Sequence, residues 1–440
     1  MNHNIRRRNS RLDKHVALRR WLPGLLFSLS FNTAILAEEP APRETVLTRI
    51  RPELDPLGVK VGGFRAYPTF TYKGLHDDNI FATQDNKEAS LISEYSLEAL
   101  LRSNWPNHQL NLSASTDIRR HSDFSSENTE DWKFSVDGRL DVTQNNQLYG
   151  GASLKRDHVD RMAPDDTGGL VPTEFEETNV FGHYSQRLQR WHIDLDTSQT
   201  RKNYDDVPGI VNGVETVINQ DDRDRSERTV GLRVGYEILS SQDRVFVVLR
   251  RDRRDYDEPE DVINADRSSK GYEALMGLAL DLGGVTSGNL SAGYRVQDYM
   301  DPFPDIRTPV FNASLNWNAT TLTSVNIDLE RSIKETIGVF FSGYVSTNTL
   351  VTVDHELRRN LLLKLGFNYI TDDYESLGTA ERDDTTYDAL VGSTYLINRY
   401  INVSMQYHNI RRDSSSNVTA SSNSVEFEKD IIYIQLRAQF

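Results

Sequence analysis

The chain has no cysteine in its 440 residues. Disulfide bridges, thiolate metal sites and cysteine nucleophiles are therefore excluded. It also lacks any run of the ~20 apolar residues that a membrane-spanning helix needs. Apolar residues make up only 37% of it, below the roughly 45–50% of ordinary globular domains. Positive charge is short as well: 50 Lys and Arg stand against 65 Asp and Glu, a formal charge of −15. That argues against nucleic acid as a partner, which demands a basic face. Catalytic signatures are missing too. There is no Gly-x-Ser-x-Gly elbow, no phosphate-cradling Gly-rich loop and no His-Glu-x-x-His, and His121, His158 and His183 are scattered along the chain. No catalytic residue, cofactor or metal site is expected, with an enzyme active at a barrel rim as the remote alternative.

What is present begins with a distinct N-terminus. Residues 1–20 hold Arg6, Arg7, Arg8, Arg11, Lys14, Arg19 and Arg20 against a single acid, Asp13. An apolar stretch from Trp21 to Leu36 follows, broken by Pro23, Gly24 and Asn32, and ends at Ala37 before acidic Glu38. A basic region, a short apolar stretch and a small boundary residue predict a cleaved secretory signal over residues 1–37. A membrane anchor is the alternative, and the stretch is short and interrupted for that. Without it the chain has a formal charge of −21.

The rest is one repeated pattern. Ile432, Ile434, Leu436, Ala438 and Phe440 alternate with Tyr433, Gln435, Arg437 and Gln439. The same alternation runs through Leu110 to Ile118, Trp191 to Asp196, Leu361 to Tyr369 and Ile401 to His408. Period 2 puts the two sets on opposite faces of a strand. Short connections near Pro106-Asn107, Asn145-Asn146, Gln189-Arg190, Ser240-Ser241, Gly283-Gly284, Ala319-Thr320, Arg358-Arg359 and Asn398-Arg399 alternate with longer polar ones. The longer ones lie near 76–89, 122–130, 160–174, 204–222, 256–268, 300–306, 335–341, 373–384 and 412–423. These connections predict 18 strands.

Strands with one apolar and one polar face must hide the apolar one. A soluble β-sandwich would hide it inside. Here the polar faces carry Asp117, Asp194, Asp196, Asp328, Glu330 and Lys364, which a dry core would not tolerate. The expected fold is therefore all-β: a transmembrane antiparallel up-and-down barrel of about 18 strands, with short periplasmic turns and long extracellular loops. The expected division is a signal at 1–37, a periplasmic extension at 38–62 and the barrel at 63–440. Trp105, Trp191, Trp317 and Tyr400 sit beside short turns, where a membrane girdle is expected. Phe440, an aromatic last residue on an alternating strand, resembles the assembly signal of outer-membrane proteins. The expected partners are outer-membrane lipid and lipopolysaccharide and the outer-membrane insertion machinery.

Several strands end in mixed charge and tyrosine at the long-loop side. Extending the alternation points Arg250, Asp252, Arg254 and Tyr256 into the lumen, with Arg295, Gln297 and Tyr299, and Lys202 and Tyr204. They read either as a pore lining whose rings and charges suit sugars or as cross-strand ion ladders stiffening the rim. A lumen lined by both signs should show weak ion preference. The acidic runs Asp221-Asp222-x-Asp224, Asp257 to Asp261 and Glu381 to Asp384 are expected to be solvated loops, since no complete calcium loop is present.

The most specific signals lie early. Arg51-Pro52-Glu53-Leu54-Asp55-Pro56-Leu57-Gly58 leads through Gly62 to Phe64, and Asp77-Asp78-Asn79-Ile80-Phe81 follows. These segments resemble the putative β-barrel porin 2 family, whose members open with R-P-x-x-D-P-x-G-x-x-x-G-x-F and carry a D-D-N-[IV]-[FY] turn. Arg102 to Trp105 and Leu110 to Leu112 resemble the family's second hairpin. The resemblance covers about residues 50–440. It implies a barrel associated with exopolysaccharide export, so that polysaccharide and periplasmic export components become implied partners. Porin-like passage of polysaccharide or small hydrophilic solutes is the expected function, with a plugged assembly barrel as the alternative. Pro52 and Pro56 keep the pre-barrel segment extended, leaving open a plug in the lumen, a contact with a periplasmic partner, or disorder.

Overall fold

The computed structural model describes residues 44–211, 213–240, 243–257, 265–417 and 426–440. The expected signal, 1–37, lies outside these residues, as do Glu258, Glu260 and Asp261 of one acidic run. Eighteen long strands carry the fold. The first six are β1 (Phe64–Asp77), β2 (Ser90–Ser103), β3 (Gln109–His121), β4 (Thr129–Thr143), β5 (Asn146–His158) and β6 (Glu174–Leu188). Next come β7 (Trp191–Tyr204), β8 (Arg225–Glu237), β9 (Arg244–Tyr256), β10 (Ser269–Leu282), β11 (Thr286–Tyr299) and β12 (Ile306–Thr320). The last are β13 (Thr323–Lys334), β14 (Phe341–Arg358), β15 (Leu361–Ser376), β16 (Arg382–Leu396), β17 (Ile401–Ser416) and β18 (Phe427–Gln439).

Each strand pairs antiparallel with its neighbours in sequence. β18 returns to β1 in a register from Thr69↔Gln439 to Asp77↔Ile431. The sheet is thus a closed 18-strand barrel, as the alternating connections predict, and closure removes every unpaired edge among these strands. Strands of 12 to 18 residues exceed the roughly 9–11 that cross a bilayer. The barrel therefore has length to spare for a rim.

The alternation decides which face meets which medium. In β18, Ile432, Ile434 and Leu436 are 41%, 58% and 44% exposed, whereas Tyr433 and Gln435 between them are 1% and 3% exposed. Polar side chains turn inward and apolar ones outward, the reverse of a water-soluble sheet, and the outward band suits acyl chains. Among the described residues, buried apolar side chains form four small clusters near strand ends rather than one core. The largest lies inside the barrel at the long-loop end, where Leu75, Ile92, Ile410, Ile431 and Tyr433 pack with Met162.

Three connections differ from expectation. The one expected at 412–423 starts only at 417, because Asp413 to Ser416 pair with β16. β12 runs on to Thr320, with a register shift after Trp317 that absorbs the extra length, so its turn falls at Thr321-Leu322. The loop expected at 373–384 shrinks to 377–381, because Asp372↔Asp384 and Asp373↔Asp383 pair in the ladder. Asp384 is 1% exposed and receives Arg382 at 2.7 Å, so it is not part of a solvated loop.

The Asp77-Asp78-Asn79 motif fastens the seam between β1 and β18. Lys429 meets Asp77 at 2.7 Å. The Asp430 amide donates to Asp78 Oδ1 at 2.7 Å, and the Asp78 amide returns a bond to the Asp430 carbonyl at 3.2 Å. Asn79 is fully buried. Its Nδ2 donates to the carbonyls of Thr83 (2.7 Å) and Glu428 (3.0 Å), and its Oδ1 accepts the Thr83 amide at 3.0 Å. A short amide side chain with donor and acceptor satisfies both sides of the closure.

The Arg-Pro-x-x-Asp-Pro motif has a different job. Residues 44–57 lie within the short-turn mouth, against the inner faces of β12–β16. Gly58 (φ +70°) and Gly62 (φ +57°) turn the chain out again, and Val59–Val61 pairs with the start of β1. A side chain at Gly58 would collide with the Tyr67 ring at 2.6 Å, so only glycine fits there.

Candidate functional site

The barrel encloses a cavity of about 2090 Å³ that runs from the N-terminal segment to the inward-folded loops. Among the described residues, sixteen Lys and Arg and seventeen Asp and Glu border it. The wall is nearly neutral although the chain carries −15, so most of the excess acid sits away from the lumen. Neighbouring strands alternate in sign. Lys155 lies 3.7 Å from Glu177, which lies 3.5 Å from Lys202. Arg250 lies 3.0 Å from Glu273, which lies 3.3 Å from Arg295, itself 2.6 Å from Asp252.

The rim residues singled out in the sequence divide into two groups. Lys202, Tyr204, Arg250, Arg254, Tyr256 and Arg295 border the cavity. Asp252, Gln297 and Tyr299 face the same way but do not border it; Gln297 is 0% exposed. Gln297 donates to Ser269 Oγ at 2.8 Å and accepts from Arg295 at 2.9 Å, while Tyr299 packs with Phe303, Ile306 and Val345. Neither offers a free surface to a solute. The residues expected in a girdle, Trp105, Trp191, Trp317 and Tyr400, are 46%, 49%, 46% and 47% exposed. Phe440 lies 5.7 Å from the Tyr400 ring.

Two loops meet inside the barrel at the long-loop end. Loop 335–340, after β13, places Glu335 where Arg254 pairs with it and where the hydroxyls of Tyr256 and Tyr299 donate to it at 3.0 Å each. Arg267 donates to the carbonyls of Thr336 (2.7 Å) and Gly338 (3.0 Å) and holds this loop. Loop 159–173, after β5, reaches it from across the lumen: Asp165 Oδ1 accepts Thr336 Oγ1 at 3.1 Å and the Ile337 amide at 3.2 Å. β5 and β13 stand eight strands apart in a ring of eighteen, so the two loops bridge the bore. Loop 159–173 is anchored twice more, by Met162 in the seam cluster and by Arg161 with Glu127 at 2.8 Å. Burial pushes the Asp166 carboxyl up, against the pull of nearby Arg161. Burial acts on Asp160 in the same sense, but Lys429, the Met162 amide and Arg119 outweigh it and hold that carboxyl below its ordinary range.

The sequence could not single out Glu335, Asp165 or Arg267. Each is an ordinary loop charge until the barrel closes and brings loops 171 residues apart into contact.

At the opposite mouth the N-terminal segment is built in rather than draped. Arg51 is 2% exposed; its Nη2 donates to Glu356 Oε2 and to the Val46 carbonyl, both at 2.8 Å. Val46 is fully buried with Leu362 and Leu396, and its amide donates to Ser324 Oγ at 2.8 Å. Asp55 Oδ2 accepts the Arg51 amide at 2.5 Å, and Arg359 pairs with Glu53 at 2.5 Å. All these partners lie on β12–β16 or their turns. The cavity passes on the other side, between Ile50, Asp55 and Pro56 and the β1 and β18 residues Tyr67, Thr69 and Gln439.

Two of the three histidines singled out in the sequence, His183 and His158, are engaged by carboxylates of the wall. His183 presents Nδ1 to Asp196 at 2.6 Å and Nε2 to Asp194 at 3.8 Å, so neither nitrogen is turned to a nucleophile. His158 Nδ1 lies 2.9 Å from Asp131. Asp131, Asp157 and His158 form a group with metal-ligand spacing, but Lys155 lies 3.3 Å from Asp157 and competes for its oxygens.

A family model described as putative β-barrel porin 2 matches residues 51–440. Solved structures of similar fold include OccK2 (OpdF) of Pseudomonas aeruginosa, 11% identical, with a TM-score of 0.46 over 85% of this chain and 98% of that one. OpdO of Pseudomonas aeruginosa is 12% identical, with a TM-score of 0.45 over 86% and 98%. The copper transporter OprC is 9% identical, with a TM-score of 0.45 over 88% and 81%. No curated protein matches the sequence.

Proposed function

The chain belongs to the putative β-barrel porin 2 family, a porin-like barrel of the outer membrane, and from that premise we propose that it passes small hydrophilic solutes through its own lumen. The charge-balanced cavity of about 2090 Å³ carries this reading. A wall of alternating sign solvates polar solutes without strongly favouring either ion. The two inserts limit size. Loop 159–173 and its contact with loop 335–340 narrow one end, and residues 44–57 narrow the other. Export of whole polysaccharide chains, which the family resemblance implies, would require both inserts to move, so the geometry favours short solutes.

Planar-bilayer recording on the full chain tests the proposal. Small, weakly ion-selective channels are expected, and their conductance should rise when residues 160–167 are replaced by a short Gly-Ser linker. Silence from both proteins, with the barrel shown to be folded, would overturn it. The alternative, a plugged assembly barrel, is favoured by one observation: the buried Arg51–Glu356 pair at 2.8 Å. Removal of 1–37 on export and recognition of Phe440 by the insertion machinery belong to the same proposal. N-terminal sequencing of the membrane-embedded protein and assembly of a Phe440-deleted chain test them.

A further inference from the structure

Phenylalanine facing water inside a channel needs a reason. In β6 the inward positions run Phe175, Glu177, Asn179, Phe181, and both rings border the cavity. Each is paired across strands. Phe181 meets Tyr149 of β5 with centroids 5.5 Å apart, and Phe175 meets Tyr204 of β7 at 5.2 Å. Gly151, opposite Phe181 in the register, adds no side chain there. Two aromatic pairs thus stand on one wall, six residues apart along β6, roughly 20 Å. Lys155 stands over the Phe175 ring at 5.1 Å and Arg223 over the Tyr204 ring at 4.2 Å, so a ligand stacks there on the rings' other faces or displaces these cations.

The stretch between them is not apolar. Ser153, Asn179, Ser198 and Thr200 border the same cavity, and Asn179 Nδ2 donates to Thr200 Oγ1 at 2.7 Å. Lys155, Glu177 and Lys202 lie in an alternating row that offers both donors and acceptors with little net charge. Hydroxyls and amides exchange hydrogen bonds in both senses, and aromatic faces stack on weakly polar C–H surfaces. A ligand matched to this wall has polar edges, apolar ring faces and enough length to reach both platforms. A single-ring acid covers only one of them.

We infer that the β5–β7 wall is a binding track for short linear saccharides, with the Tyr149–Phe181 and Phe175–Tyr204 pairs as its two stacking platforms. This deepens the channel reading above and rests on it. The test is current block in planar bilayers by maltohexaose, scored against each protein's own open current. Wild-type channels are expected to show brief, concentration-dependent interruptions. Phe175→Leu and Phe181→Leu keep apolar bulk but lose the flat face, and each should raise the half-blocking concentration about three- to tenfold. Glucose, too short to bridge, should block far more weakly and respond to neither substitution as strongly. Conducting channels that maltohexaose never interrupts, or that a single-ring aromatic acid blocks while saccharides do not, would overturn the track and leave the channel standing. Leucine variants that block like wild type would overturn it too. Absence of any current in a folded barrel would instead strike the reading beneath it.

Discussion

Replacing Arg51 with alanine asks how firmly the N-terminal segment is seated. The side chain is 2% exposed and joins Glu356 to the Val46 carbonyl through one nitrogen, at 2.8 Å to each. Removing one partner of a buried ion pair costs about 3–5 kcal/mol, because the other charge stays buried. Arg49 reduces that figure here. It stands 3.4 Å from the same carboxylate and is 33% exposed, so it can swing to Glu356 when Arg51 is gone. About 2–2.8 kcal/mol should remain, a shift of roughly 30- to 100-fold toward the unseated segment at 1.4 kcal/mol per tenfold. Trypsin reports it. The Arg51-Pro52 bond resists trypsin in the wild type and Arg51→Ala removes that arginine, so Arg49 is the reporting site in both. When reclosing is fast, cleavage follows the unseated population, and Arg51→Ala should be cut at Arg49 roughly 30- to 100-fold faster than wild type in detergent. Glu356→Gln should act in the same direction, and exchanging the two charges should recover part of the protection. A cleavage rate within twofold of wild type would refute the claim that this pair holds the segment in place.

Three further outcomes are expected. Glu335→Gln removes the carboxylate on which Arg254, Tyr256 and Tyr299 converge, so the constriction gains net positive charge. Reversal potentials in a salt gradient should move toward anion preference, and an unchanged potential would place Glu335 outside the conduction path. Asn79→Ala deletes four hydrogen bonds at the seam, of which the three at 3.0 Å or less are worth about 3 kcal/mol together at roughly 1 kcal/mol each. The folded band on unheated gels should disappear at a lower temperature, whereas wild-type resistance would deny the clasp. Ile434→Lys places a charge on the lipid face and should cost about 2–4 kcal/mol if near the midplane. Asn312→Lys, exposed to the cavity and opposite Glu330 in the register, should assemble normally.

Much of the fold was legible because a barrel strand writes itself locally. Alternation in Ile432 to Gln439 needs only period 2 and one medium on each side, and connection lengths number the strands. The inward direction of Arg250 and Arg254 follows from the same rule. Whether such a residue meets solute does not: Gln297 and Tyr299 obey the alternation yet are covered by Arg295, Ser269 and Phe303, which only closure brings near. The constriction was illegible for the same reason. Asp165 and Thr336 meet across 171 residues, and nothing local in loop 159–173 says that it turns inward rather than out. Arg51 and Asn79 stood in motifs whose chemistry was unspecified until the partners Glu356 and Glu428 came from the far end of the chain. Apolar Ile410 and Ile431 inside the lumen break the polar-inward rule because Met162 and Ile80 arrive from loops to cover them.

The central claim is that the apolar rows of the strands touch acyl chains while the polar rows face the lumen. The absence of native cysteine allows single cysteines at 431 through 437 to carry a fluorophore in vesicles containing brominated lipid. Quenching is expected at 432, 434 and 436 and should be weak at 431, 433, 435 and 437. Quenching at the odd positions instead, or none with a two-residue period, would contradict the account.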